Sequence, residues 1–198
     1  RGLTNNSLRY SQSVTNAYNK TSNKVSYPAN TYSRLAEQLK IVARLIKGRL
    51  GTRVYMVYID GFDTHAEQRN YHPRLMMDLS NSISAFYNDL KADNFTQNVA
   101  MMSFSEFGRT IRENGSAGTD HGNMSPMFLF GDGVKGGHHG TPMNLNDATL
   151  KAGDSRVYFE NQSSVDFRSM YATTFQDWMC IDPELVDFSL GQNYGRMN

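Results

Sequence analysis

Arg53-Val54-Tyr55-Met56-Val57-Tyr58-Ile59 is the stretch on which the reading of the fold turns. It is β-branched and aromatic, contains no proline or glycine, and lies between Gly51 and Asp60-Gly61. A short continuous apolar run between such breakers predicts a strand buried on both faces. On its upstream side, residues 32–47 place Leu35, Leu39, Val42, Leu45 and Ile46 on one helical face, with Gly48 or Gly51 to end the helix. On its downstream side, residues 73–91 repeat the pattern with Leu75, Leu79, Ile83, Phe86 and Leu90. Continuous apolar strands alternating with amphipathic helices predict an α/β fold, a mostly parallel sheet flanked by helices. In such sheets ligands gather beyond the carboxyl ends of the strands. The loop after Ile59 is therefore the first place to look for chemistry.

The rest of the chain extends the pattern. Residues 98–104 and 126–130 read as further strands, and residues 131–140, rich in glycine, as irregular. Residues 141–165 read as loop with a short strand near 157–159. Residues 166–179 read as a last helix, with Phe167, Met170, Tyr171, Thr174, Phe175 and Trp178 towards the core and Asp182-Pro183 after its end. Residues 1–32, rich in Asn, Ser, Thr and Tyr, show little apolar periodicity and are expected to be an irregular segment before a domain spanning 33–198. The start at Arg1 rather than Met suggests a processed product or a piece of a longer chain.

Charge narrows the partners. With 20 basic and 19 acidic residues the net charge is +1, which gives no electrostatic case for nucleic acid. Lys and Arg are scattered, so no polybasic membrane patch forms, and no apolar stretch reaches the length of a membrane span. The single cysteine, Cys180, leaves the redox compartment open.

Three polar segments adjoin the apolar runs. Asp63 and His65, two residues apart, can point the same way and offer a carboxylate oxygen and an imidazole nitrogen. That donor pair suits Zn, Mn or Fe, and suits Mg or Ca less well. Glu106 follows the apolar run 98–104, with Arg109 three residues on as an ion-pair partner or an oxyanion binder. Asp120-His121-Gly122 can turn both side chains to one point because Gly122 permits a tight loop; alternatively Asp120 orients an imidazole. His138 and His139 lie between glycines in a loop, and His72 precedes Pro73 at a helix start, so both read as structural.

These segments stand in a recognisable order. Gly61-Phe62-Asp63-Thr64-His65-Ala66-x-Gln68 comes first, then Phe104-Ser105-Glu106-Phe107-Gly108-Arg109-Thr110, then Glu113-Asn114-Gly115-Ser116-x-Gly118-Thr119-Asp120-His121-Gly122. Met127-Phe128-x-x-Gly131-x-Gly133-Val134-Lys135-Gly136-Gly137 and Asp166-Phe167-Arg168-x-x-Tyr171-Ala172-Thr173 follow. The set resembles the exported bacterial family catalogued as domain of unknown function 1501. That family is similar to the alkaline phosphatase superfamily, with its sulfatases and cofactor-independent phosphoglycerate mutases. The resemblance covers residues 53–180 well.

The resemblance implies an alkaline-phosphatase-like fold of which this chain is the C-terminal half. It implies an exported location, periplasmic or extracellular, and a divalent metal, Zn or Mn before Mg or Ca. The implied activity is hydrolysis of a phosphate or sulfate ester, on a small molecule or a polymer. A literal match sets Asp120-His121 on the Asp-His motif of the mutases. A positional match, which fits better, makes Asp63, His65, Glu106 and His121 the ligand set, with Asp120 beside them and Arg109 on an ester oxygen. Phe107 stands where the superfamily has a histidine, and the superfamily's nucleophile falls in the N-terminal half. The resemblance therefore also implies a partner, either that half or another exported protein. The alternative function is a non-catalytic exported protein of structure or interaction that keeps the fold.

Overall fold

The computed structural model describes residues 2–29, 31–141 and 165–197. The chain forms two compact units, residues 1–99 with 115–118, and residues 100–114 with 119–198.

The first unit is helical. Helix α1 spans Gly2–Lys20, α2 spans Leu35–Lys47 and α3 spans Gln68–Ala92, followed by a 3-10 turn at Thr96–Asn98. Helices α2 and α3 form where the 3.6-residue periodicity places them, but their buried stripes differ in detail. In α2 the buried positions are Leu35, Ala36, Leu39, Ala43 and Lys47, while Val42, Leu45 and Ile46 are only half-buried. In α3 Leu75, Phe86 and Leu90 are buried as expected, joined by Ser82 and Asp89. Full burial of a side chain such as Leu39 or Phe86 contributes about 1.5–3 kcal/mol. Pro73 lies inside α3, near its start, where the loss of one backbone donor is tolerated.

Two expectations for this unit are corrected. Residues 1–32 are not irregular throughout, because α1 occupies most of them. This helix is almost wholly exposed, so no apolar periodicity marks it. Tertiary contact at its last turns holds it. Ala17 is buried, the Arg44 guanidinium stacks 3.5 Å over the Tyr18 ring, and Arg44 Nε donates to the Tyr18 carbonyl at 3.0 Å. Gly48 is needed at this contact, since a Cβ there would stand 2.1 Å from the Ala17 carbonyl oxygen.

The second correction concerns residues 53–59, which form no strand. Val54, Met56 and Tyr58 are 66%, 81% and 66% exposed. The hydrogen bonds of a ladder are present at one residue only. The Gln38 side-chain amide accepts from Tyr58 N–H at 3.1 Å and donates to its carbonyl at 2.8 Å. One amide takes the place of a neighbouring strand, and no sheet grows from it.

Around Asp89 lies a buried polar network. Lys47 Nζ meets Asp89 Oδ1 at 2.8 Å and Asp93 Oδ2 at 3.0 Å, and donates to the Ser22 carbonyl at 2.8 Å. Lys24 N–H donates to Asp89 Oδ1 at 2.7 Å, and Asn23 Nδ2 and Tyr27 OH donate to Oδ2 at 2.6 and 3.0 Å. Burial pushes the Asp89 carboxyl up, but the hydrogen bonds from Lys24, Lys47, Asn23 and Tyr27 outweigh it and hold the group below its usual range. Burial and the Asp89 charge push the Tyr27 phenol up.

The second unit contains four two-residue strands. Strand β1 (Met101–Met102) pairs antiparallel with β4 (Leu129–Phe130), and β2 (Gly108–Arg109) with β3 (His121–Gly122). The mostly parallel, alkaline-phosphatase-like sheet is therefore overturned, since both ladders among the described residues are antiparallel. A parallel pair needs a crossover, usually a helix, and residues 103–128 between β1 and β4 contain none. Ser103 extends the first ladder. Its N–H donates to the Phe128 carbonyl at 2.9 Å, and its hydroxyl accepts from Phe128 N–H at 2.8 Å.

Helix α4 (Phe167–Thr173) follows, capped by Asp166, and runs into a π-helical turn at Thr174–Trp178. Helix α5 (Pro183–Leu190) starts with Asp182 as cap and Pro183 in the first turn, and stops at Gly191 with φ 88°. The last helix of the sequence reading thus holds, with α5 beyond it. Residues 131–140 lack helix and strand as expected, and the short strand near 157–159 lies outside the described residues. No helix among the described residues is long and apolar enough to cross a membrane.

Asp89→Ala is expected to destabilise the protein by about 3–5 kcal/mol at pH 7, because it leaves Lys47 buried without its main partner. The folded carboxyl titrates below its unfolded value of about 3.9, so its contribution is complete above that pH and is lost as pH falls through the folded value. Denaturant unfolding at a series of pH values should show the gap between the native chain and Asp89→Ala narrowing in acid. A gap that stays constant down to about pH 2 contradicts the assignment.

Candidate metal centre

The residues after Ile59 fold into a tight loop leading to α3. Thr64 N–H donates to the Phe62 carbonyl at 2.9 Å and His65 N–H to the Asp63 carbonyl at 3.2 Å, so the chain turns twice in succession. Exposure alternates along it: Asp63 and His65 are exposed, and Thr64 between them is 5% exposed. The two candidate ligands thus face outward together, with His65 Nε2 3.0 Å from Asp63 Oδ1. Ligand atoms held about 2.0–2.1 Å from one ion stand roughly 3 Å apart. Beneath them the Thr64 hydroxyl is buried with no hydrogen-bond partner among the described residues. Buried polar atoms are nearly always satisfied.

Residues 115–118 fix this loop within the same unit. Ala66 bridges Ala117, and the N–H groups of Glu67 and Gln68 donate to the Ser116 and Ala117 carbonyls, each at 3.0 Å. These bonds satisfy donors at the start of α3 that the helix itself cannot. Glu67 enters the helix with φ 45°. Gly118 packs on the ligand loop so closely that a Cβ would stand 2.2 Å from the His65 carbonyl carbon. His72 lies in α3, and its ring meets Phe62 edge-on at 5.7 Å, which supports the loop from the helix side.

The other candidate residues lie in the second unit. Arg109 and His121 are opposite each other in the β2–β3 ladder. Arg109 is engaged by Thr119: Nε donates to the hydroxyl at 3.1 Å, and a terminal nitrogen donates to the carbonyl. The guanidinium also stands 5.7 Å from the Phe107 ring centroid. Asp120 is held by the same hairpin. Its carbonyl accepts from Thr110 N–H at 2.9 Å, its N–H donates to Thr110 Oγ1 at 3.1 Å, and Oδ1 accepts from Asn114 at 3.1 Å. The His121 ring stacks on Phe107, with centroids 3.8 Å apart and planes at 10°. Position 107, where a second imidazole was expected from the resemblance, supplies instead the face on which His121 rests.

Glu106 is exposed and lines a cavity of about 800 Å³ with Phe104, Phe107, Met124, Arg168 and Tyr171. His138 and His139 are exposed in the glycine-rich loop, and His139 Nε2 lies 3.1 Å from the Lys135 carbonyl. The structure therefore joins Asp63 to His65 in one unit, and Arg109, Asp120 and His121 to one hairpin in the other. Glu106 faces the cavity apart from that hairpin's hydrogen bonds. Neither the Gly118 packing nor the Phe107–His121 stack leaves a mark in the local sequence, because both depend on neighbours distant in the chain.

The sequence matches the family described as Protein of unknown function (DUF1501) over residues 8–186, and the chain belongs to that family. Neither the curated proteins nor the solved structures contain a match.

Gly118→Ala is expected to push the 63–66 loop outward and to destabilise the protein by about 1–3 kcal/mol. Imidazole nitrogen NMR should show the His65 resonances displaced while those of His138 stay in place. Unchanged His65 resonances would contradict the packing.

Proposed function

We propose that this chain binds a divalent metal ion, Zn or Mn in preference to Mg or Ca, and serves the hydrolysis of phosphate or sulfate esters. The observation that carries the proposal is the outward-facing Asp63–His65 pair over the buried, unpartnered Thr64 hydroxyl. A carboxylate with a neutral imidazole suits these ions, and an orphaned hydroxyl beneath two ligand atoms is suited to bonding a ligand or solvent held there. Bound at this pair, the ion supplies Lewis-acid stabilisation of an ester oxygen. Asp63 and His65 hold it, and the 115–118 segment keeps the loop that bears them in one shape. Glu106, Asp120 and His121 remain the further candidate ligands drawn from the sequence. Arg109, tied to Thr119, shapes the hairpin that carries Asp120 and His121, and an ester oxygen is its proposed contact. The ester class and the exported location rest on the likeness of the motifs to alkaline phosphatases and sulfatases.

A second reading, a non-catalytic protein that works by contact, is favoured by one observation. Val54, Met56 and Tyr58 present an apolar row to solvent, which a protein with only surface catalysis to perform has no need to expose.

Metal affinity measured by competition with a chromogenic chelator, together with turnover of aryl phosphate and sulfate esters, tests the first reading. Asp63→Ala and His65→Ala should each weaken binding by more than the roughly 10–100-fold that loss of a supporting residue costs, and turnover should fall in step. Unchanged affinity and turnover in both variants would refute it. Binding lost without any ester turnover in the native chain would leave a metal-holding contact protein.

A further inference from the structure

Residues 53–59 are strand-forming in composition and unpaired in the structure. Exposure alternates along them: Val54, Met56 and Tyr58 are exposed, and Tyr55, Val57 and Ile59 are half-buried. In such a chain the main-chain groups of alternate residues point to opposite edges. Tyr58 directs its N–H and carbonyl to Gln38. The N–H and carbonyl groups of Tyr55, Val57 and Ile59, which belong to the other edge, have no hydrogen-bond partner among the described residues. Natural edges are blunted by lysine, proline or a bulge, and none of these residues is Lys or Pro.

We propose that two copies of this chain associate by antiparallel pairing of residues 53–59 about Met56. This inference is independent of the metal reading. The segment is nearly palindromic in chemistry. With Met56 opposite Met56 of the second copy, Val54 meets Tyr58 and Tyr55 meets Val57, so β-branched residues face aromatic ones on both faces. Such cross-strand pairs contribute roughly 0.2–1 kcal/mol each. The register also keeps the exposed row Val54, Met56 and Tyr58 on one continuous face, whereas a slip of one residue would set exposed positions against half-buried ones. Charge selects the direction. Arg53 and Asp60 close the two ends of the run. Antiparallel pairing brings Arg53 within one residue of Asp60 of the second copy, while parallel pairing in register would set Arg53 beside Arg53 and Asp60 beside Asp60. The pairing would satisfy the free edge at Tyr55 and Val57 and leave the Gln38 contact intact.

Sedimentation equilibrium over a range of loading concentrations tests the proposal on the full chain. The native protein should show a monomer–dimer equilibrium. Met56→Lys, which sets two ammonium groups face to face at the two-fold axis, should be monomeric at every concentration. Met56 is 81% exposed, so this variant should keep the native circular dichroism and melting temperature. Directly opposed residues of a non-hydrogen-bonded pair stand about 4.5 Å apart at Cα, within disulfide range. Met56→Cys combined with Cys180→Ser should therefore give a covalent dimer under mild oxidation. A native chain that is monomeric throughout, together with a Met56→Cys, Cys180→Ser variant that forms no cross-link, overturns the proposal. So does a dimer that Met56→Lys leaves intact, which would place the contact elsewhere. Capture of an added apolar strand peptide by a chain that never dimerises would assign the edge to another polypeptide and equally overturn self-pairing.

Discussion

The carboxylate of Asp89 has no exposure to solvent, and a buried charge is tolerated only when paired and hydrogen-bonded. Its partners come from separate parts of the chain: Lys47 at the end of α2, and the connection after α1 at Asn23, Lys24 and Tyr27, while Asp89 itself stands on α3. Satisfying it fixes how α2 lies against α3 and draws the segment after α1 across both. That constraint reaches the candidate site. With α2 and α3 locked together, the chain between Lys47 and Gln68 must leave one helix end and return to another. The Asp63–His65 loop lies on that return path, held at its far side by residues 115–118.

How much of this was legible depended on whether a residue's role is set by its near neighbours. Helices α2 and α3 announced themselves because an apolar face recurs every 3.6 residues in both. Lys47 on the buried face of α2 did not, because a lysine at a helix end reads as solvated until its partner on α3 is known. Helix α1 was illegible for the opposite reason: its surface is polar, and a few contacts around Ala17 and Tyr18 hold it. Residues 53–59 misled most. A continuous apolar run signals a doubly buried strand only if neighbouring strands exist, and here a glutamine side chain occupies the position of one. The strands at 98–104 and 126–130 shrank to two residues each because the chain between them carries no crossover to build a parallel sheet.

The site divides along the same line. That Asp63 and His65 face one way followed from their spacing of two. The buried Thr64 hydroxyl between them follows from the same alternation. Gly118 under the loop and Phe107 under His121 could not be read, since each is a packing relation between residues far apart in the chain. Phe107 is instructive, because an apparent gap in a ligand pattern is filled by a ring that orients the neighbouring imidazole instead. The family assignment over residues 8–186 agrees with the motif order, while the two antiparallel ladders show that motif order did not carry the expected sheet with it.

The most direct measurement is an anomalous-difference map from crystals grown with zinc, recorded on both sides of the zinc absorption edge. The expected result is a peak about 2.0–2.1 Å from His65 Nε2, with an Asp63 carboxylate oxygen in the same coordination sphere and the Thr64 hydroxyl bonded to a ligand or water of the site. A map with no peak at this loop, His65 Nε2 still paired with Asp63 Oδ1 and the Thr64 hydroxyl still without a partner, would contradict the assignment of a metal to this loop.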